Sequence, residues 1–332
     1  MRKDNDRSRT LRWGLLSTAR INRALIPGLR LSRRSQLVGV ASRDLDRAEA
    51  YAREWRIPRA YGSYEAMLND PDIDAVYNPL PNHLHAEWTI RAAQAGKHVL
   101  CEKPLALTLE EVDAIGAAAR ANHVIVAEAF MYYHHPLTHQ VMDLLRGGEI
   151  GDLRLLRGEF SFTLDRPADI RWVPEFGGGS IWDVGCYPIS YSMLAARQTP
   201  VEVFGWQTPA ESGVDLTFTG QMRFANGVTS QFASSFGLPP RTFMELRGTQ
   251  GDMRVLGPFL PHKGGKILLT RDGKERRLPG SSITPYLCEV NDLAAAVLDG
   301  APQGLPLEQS RKHIAVILAL LESARTGKPV LL

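Results

Sequence analysis

Cysteine is scarce in these 332 residues: Cys101, Cys186 and Cys288 are odd in number and far apart. That excludes a disulfide framework and points to a reducing, cytoplasmic compartment. Long apolar runs are also missing, since none approaches the roughly 20 residues needed to span a bilayer. No membrane role is therefore expected. Charge of one sign is in short supply as well. A net charge of +3 on this length gives no case for a nucleic-acid partner. The opening MRKDNDRSRT has no apolar stretch behind it, as a secretory leader would, so residues 1–10 read as a disordered tail. Glycine is missing from one telling place. In LRWGLLSTARINRALIPGL (11–29) an apolar strand runs into a turn and a helical pattern, where a dinucleotide-binding fold carries Gly-x-Gly-x-x-Gly/Ala. The matching positions are Ser17, Ala19 and Asn22.

What is present is a globular composition, 44% hydrophobic and 23% charged, on a chain long enough for two cores. The first third alternates strands (QLVGVAS, DAVYNPLP, KHVLCEKP, VIVAEAF) with helical patterns, which predicts a parallel sheet with crossovers. After about residue 150 the texture changes to strand-like runs with short turns, Asn226-Gly227 and Asp272-Gly273 among them. The expected fold is α/β: an N-terminal Rossmann domain over 11–127 and a C-terminal α/β domain over 128–332 with a large, mainly antiparallel sheet. The segments 285–299 and 307–326 have helical periodicity.

Ser and Ala are the smallest replacements for the turn glycines, and Ser17 and Thr18 bring hydroxyls that can donate to phosphate. A helix N-terminus still offers N–H groups. Alone, the segment reads more readily as a generic strand–turn–helix. The end of the second strand adds to it. Where an NAD-binding fold places an acid, this chain has Ser42 and Arg43, with Arg47 one turn into the next helix. A hydroxyl and two guanidiniums suit a 2′-phosphate, hence NADP(H). Basic residues at a helix N-terminus oppose the helix dipole unless an anion is present.

LCEKPLAL (100–107) puts Glu102 and Lys103 at the carboxyl end of a strand, where open parallel sheets bind ligands. A Lys there can polarise or protonate a substrate oxygen. GGGSIWDVGCYPIS (177–190) supplies Asp183 and Tyr187, which share a face if they lie on one α-helix. A Tyr beside a cationic Lys is a usable acid/base for an alcohol–carbonyl pair. A helix cap and a buried aromatic are the plainer alternatives for the two.

Together these stretches, with GSYEAMLNDPDIDAVYNPLPNHLHAEW, EAFMYYHHP, GEIGDLR and ESGVDLT, resemble the Gfo/Idh/MocA oxidoreductase family over nearly the whole chain. Tyr187, where many members carry His, is similar to the branch with dimeric dihydrodiol dehydrogenase, NADP-dependent xylose dehydrogenases and deoxysugar ketoreductases. The resemblance implies hydride exchange between NADP(H) and a sugar or keto-sugar. Lys103 and Tyr187 would attend the reacting oxygen, with Asp183 orienting substrate or Lys. Ser17, Thr18, Ala19, Arg20 and Ile21 would cradle the pyrophosphate. Pro79, Leu80, Pro81, Asn82, His85, Glu102 and Lys103 would lie along the nicotinamide ribose. Tyr133 and His134 would face the second domain, and Arg171 and Trp172 would wall the sugar, although Trp172 also suits a core. A homodimer or homotetramer is implied as well.

Other functions were weighed. His83, His85, His134, His135 and His139 lack zinc-like spacing, so no metal is expected. GGGSIWD is not the Gly-x-Ser-x-Gly of a serine hydrolase. A trans-dihydrodiol or dicarbonyl oxidoreductase and a non-catalytic NADP-dependent sensor stay open as alternatives. The pairing of Lys103 with Tyr187 favours an enzyme over the sensor.

Overall fold

The computed structural model describes residues 10–332. The tail expected over 1–10 therefore lies, except for Thr10, outside the described residues. The chain forms two compact units.

The first unit holds six strands: β1 (Leu11–Leu16), β2 (Ser35–Ala41), β3 (Arg59–Tyr61), β4 (Ala75–Asn78), β5 (His98–Glu102) and β6 (Val126–Ala129). They are parallel and ordered β3-β2-β1-β4-β5-β6, the doubly wound order of a dinucleotide-binding sheet. The strand order reverses between β1 and β4. The helices α1 (Asn22–Leu31), α2 (Leu45–Trp55), α3 (Tyr64–Leu68), α4 (His85–Gln94) and α5 (Leu109–Ala121) supply the crossovers. Every residue of β4 and β6 is buried, as a strand covered on both faces requires.

The second unit is built on nine strands: β7 (Leu153–Thr163), β8 (Pro200–Pro209), β9 (Asp215–Phe224), β10 (Thr229–Ser235), β11 (Gly237–Gly248), β12 (Gly251–Leu256), β13 (Lys266–Arg271), β14 (Lys274–Pro279) and β15 (Val330–Leu331). Their order is β14-β13-β12-β11-β7-β10-β9-β8-β15, antiparallel apart from the parallel pair β7 and β10. Asp272 (φ 51°) and Gly273 (φ 70°) both adopt positive φ between β13 and β14, as a two-residue hairpin turn asks. The unit also holds α6 (Pro136–Arg146) and α7 (Cys186–Ala196). All but one of the α7 residues are buried, so it is a core helix without a polar face. The Ser192 hydroxyl lies 2.8 Å from that of Ser230 and ties α7 to β10.

One boundary differs from expectation. Thr284–Leu307, placed by the sequence in a domain over 128–332, belongs to the first unit, as does the segment Glu110–His134, whereas Leu107–Leu109 belongs to the second. Its helix α8 (Pro285–Asp299) packs on α1 at Gly28, where a Cβ would come within 2.8 Å of the Tyr286 backbone. The Ser32 hydroxyl donates to Asn291 (2.7 Å), and Arg34 pairs with Asp299. Periodicity shows that α8 has an apolar face, here Val290, Leu293 and Ala294, but not which surface will cover it. The last helix, α9 (Leu307–Thr326), lies almost wholly in the second unit. Among the described residues no helix is long and apolar enough to cross a membrane.

Candidate active site

Ser17 stands at φ 124°, in the region that favours glycine, so the turn after β1 keeps its shape without the glycine itself. Side chains hold it instead. The Ala19 amide donates to Ser17 Oγ (3.2 Å), and the fully buried Asn22 donates to the Ser17 carbonyl (2.8 Å). Asn22 thus bolts the helix to the turn at the position of the third fingerprint residue. Ile21 gives α1 no side-chain cap, and the Asn22, Arg23 and Ala24 amides donate to the carbonyls of Ala19, Arg20 and Ile21. Arg20 is exposed beside it.

Beyond the turn, Arg47 Nε donates to Thr18 Oγ1 at 2.8 Å, joining the ends of β1 and β2. Arg43 and Arg47 both act on the Tyr64 phenol, opposing the rise that burial causes in its pKa. Asp44 caps α2 by accepting from the Arg47 amide (2.9 Å), so it serves the helix. Ser42 is buried, and its hydroxyl accepts from the Asp44 amide at 3.4 Å.

At the ends of β4 and β5 the loops are tied from beneath. Asn78, fully buried, donates to the His85 carbonyl and to Thr89, each at 3.1 Å. His85 was expected near the ribose. Instead it is 1% exposed, with Nδ1 2.7 Å from the Pro104 carbonyl and Nε2 2.7 Å from the Leu80 carbonyl. Burial lowers its pKa to about 4. Both ring nitrogens face protein carbonyls, and the neutral imidazole donates to one of the two, packing between the loops that flank it. Pro79 and Leu80 are buried, while Pro81 and Asn82 are partly exposed.

Glu102 accepts from the Tyr77 phenol, and Lys103 follows it, partly exposed. Two acids that the sequence reading missed sit close by. Glu128, 1% exposed, accepts from the Leu105 amide (2.9 Å) and so fixes the loop after Lys103. Glu289 of α8 is also 1% exposed, and burial, then Glu102, push its pKa far above the carboxylate range. Its signal was available: Glu289 lies on the same helical face as Tyr286 and Leu293, an acid in an apolar stripe.

Tyr133 and His134 were expected to face the second domain and to serve substrate. Tyr133 is 7% exposed and packs on Tyr132, with ring centroids 5.0 Å apart. His134 Nδ1 lies 3.5 Å from Asp292 of α8, within the first unit, and its side chain is 6% exposed. Helix α8, assigned elsewhere by the sequence, is the cover that buries it.

In the second unit, Arg171 Nε donates to Asp183 at 2.6 Å, and its Nη1 lies 3.2 Å from Asp169. Asp183, then its own burial working the other way, govern the Arg171 pKa, with a net rise. Asp183 is thus paired with Arg171, a partner the sequence reading did not assign to it. Trp172 packs edge-on against Phe236 (5.4 Å) beside Leu164 and Val184, and its indole donates to the Arg166 carbonyl. That is the core alternative for Trp172. Tyr187 is 6% exposed, its ring 5.3 Å from both Phe160 and Phe259. Asp183 lies in a π turn, Ile181–Gly185, that runs into α7, so α-helical spacing does not relate it to Tyr187. Such turns recur at functional sites.

A doubly wound sheet with Arg43 and Arg47 after its second strand, and a unit on a broad antiparallel sheet, has the architecture of a dinucleotide-linked class of protein. Residues 11–130 match the oxidoreductase family with an NAD-binding Rossmann fold, and residues 138–254 match the Gfo/Idh/MocA C-terminal domain. D-xylose 1-dehydrogenase (NADP(+)) 2 of Haloferax volcanii is 38% identical over 96% of this chain and 98% of its own. Trans-1,2-dihydrobenzene-1,2-diol dehydrogenase of Xenopus laevis is 34% identical over 74% of each chain. The crystal structure of KijD10, a 3-ketoreductase from Actinomadura kijaniata in complex with NADP and TDP-benzene, is 30% identical. It superposes with a TM-score of 0.87 over 95% of this chain and 98% of that one. The chain belongs to the Gfo/Idh/MocA oxidoreductase family.

Proposed function

We propose that this protein is an NADP(H)-dependent oxidoreductase acting on a sugar or keto-sugar, at a secondary alcohol, a carbonyl or a lactol. The observation that carries the cofactor choice is the Thr18–Arg47 hydrogen bond, with Arg43 beside it and Asp44 committed to its helix. Guanidiniums held there suit a 2′-phosphate through charge-assisted bonds. The turn Ser17–Ile21 suits a pyrophosphate, because small residues and the hydroxyls of Ser17 and Thr18 lead into the start of α1. Ser42, Pro79, Leu80, Asn82 and Glu102 complete the cofactor's surroundings, with His85 holding the loops in place. The bound nicotinamide supplies or takes the hydride.

The protein's own part is to hold the reacting oxygen and move its proton. Lys103 holds that oxygen and Tyr187 exchanges the proton, its ring kept in one orientation by Phe160 and Phe259. Asp183 keeps Arg171 in place along the wall for the sugar's hydroxyls. Tyr187→Phe should leave NADPH binding nearly intact, read by fluorescence titration, while kcat falls by roughly 10² to 10⁴, the scale of a lost general acid/base. A Tyr187→Phe enzyme that keeps most of its activity would refute the assignment. Steady-state assays with aldoses, keto-sugars and trans-dihydrodiols test the substrate class. The Phe160–Phe259 stack beside Tyr187 (5.5 Å between centroids, 8° between planes) is the feature that favours a flat hydrocarbon substrate instead. Higher kcat/KM for a dihydrodiol than for every sugar would decide for that reading. The protein works in the cytoplasm as a homodimer or homotetramer, joined through the nine-stranded sheet, where Trp206 and Leu238 are exposed.

A further inference from the structure

Asp215 belongs to none of the roles above, yet its carboxylate is 4% exposed and fully engaged. It opens β9. Its Oδ2 accepts from the Ser180 hydroxyl at 2.6 Å and from the Ile181 amide at 2.8 Å. The Ser180 hydroxyl also lies 2.9 Å from that of Ser234, so β9, β10 and the start of the π turn meet at one buried polar chain. Its Oδ1 occupies the space a side chain at residue 179 would need: a Cβ on Gly179 (φ 112°) would fall 2.1 Å from it. The other flank of the same turn is held by Arg171, whose carbonyl accepts from the Gly179 amide at 3.0 Å.

We propose that Asp215 is a positioning residue for the reaction: it holds the Gly177–Ser180 turn so that Asp183 and Tyr187 keep a single arrangement. The Ile181 amide is a first-turn donor with no partner inside its own helix, and a carboxylate from a remote strand caps it. A buried carboxylate is costly unless its hydrogen bonds are made, so Asp215 earns its place through the segment it fixes. Burial raises its pKa to about 6, against the pull of the Ser180 and Ile181 donations, so it is mainly ionised at pH 7 and accepts both. This inference rests on the reading of Tyr187 as the proton-exchanging group.

The test pairs Asp215→Asn, which keeps the shape and removes the charge, with Ser180→Ala, which removes one donation and leaves the carboxylate. Displacing a catalytic group by about 1 Å can cost on the order of 10²-fold in rate. For Asp215→Asn, kcat should therefore fall about ten- to hundredfold, with the KM for NADPH unchanged. Hydrogen exchange at residues 180–187 should quicken while that of β1 and α1 stays the same. Ser180→Ala should shift both readouts the same way by less, and the double variant should be no worse than Asp215→Asn. Should Asp215→Asn not fold, Ser180→Ala carries both readouts. Unchanged exchange over 180–187 in the folded variants overturns the proposal, as does a kcat loss that merely tracks the unfolded fraction. If the wild-type protein turns over no sugar with NADP(H), the functional reading fails, and the exchange data still decide whether Asp215 positions the turn.

Discussion

The turn after β1 (residues 17–22) and the turn before α7 (177–181) both bend the chain sharply ahead of a helix. One has shed its glycines, and the other keeps three in a row. At Ser17 the demand is conformational. Its φ of 124° is uncomfortable for an L residue, but hydrogen bonds from Ala19 and Asn22 offset that cost. At Gly178 the demand is for space, and at Gly179 (φ 112°) it is for space and torsion together. A Cβ on Gly178 would lie 2.5 Å from the Arg171 carbonyl, and one on Gly179 would lie 2.1 Å from the Asp215 carboxylate. A strained torsion can be compensated by new bonds; a collision with the Arg171 backbone or with a buried, hydrogen-bonded carboxylate is harder to relieve.

That contrast predicts unequal costs. Gly179→Ala should be the most severe, because overpacking and a positive φ each cost about 1–3 kcal/mol. Thermal unfolding should show a large fall in stability, and the folded fraction should lose activity. A Gly179→Ala protein within about 0.5 kcal/mol of wild type would show that the space is not needed. Arg47→Ala comes next. Losing the guanidinium clamped by Thr18 should raise the Kd for NADPH about tenfold, with little change for NADH, as for one charge-assisted contact. Equal weakening of both cofactors would mean that Arg47 only braces the turn. Ser17→Gly should be the mildest. Relief of the torsion is set against a lost hydroxyl bond and a more flexible unfolded chain, so unfolding should shift by less than about 1 kcal/mol. A larger loss would make the Ser17 side chain indispensable.

Much of the cofactor end was legible in the sequence, because its elements are local. Strand, turn and helix follow each other within residues 11–31, and the basic residues at 43 and 47 stand at the next strand end. The sequence singled out residues of the second unit one by one but did not show their partners. Arg171 read as a wall for the sugar and Asp183 as a group orienting substrate or Lys, and the two form a salt bridge; Trp172 read as a sugar wall or core and is partly buried against a core cluster. Asp215 stood in view within ESGVDLT, yet its neighbour Ile181 is 34 residues away. Glu128 stayed hidden for the same reason, answering to Leu105, a segment distant along the chain.

The alternation of strands with helices, the Asn-Gly and Asp-Gly hairpins and the position of Lys103 at a strand end follow from residue order. Backbone chirality, side-chain period and turn chemistry act over a few residues. Which apolar faces meet is settled only when the chain has folded. So it is with α8 covering α1 and His134, with His85 turned inward to the Leu80 and Pro104 carbonyls, and with Asp215 capping Ile181. Several pairings satisfy the same periodicity, and the one adopted is the one that buries the apolar faces while leaving these polar groups hydrogen-bonded.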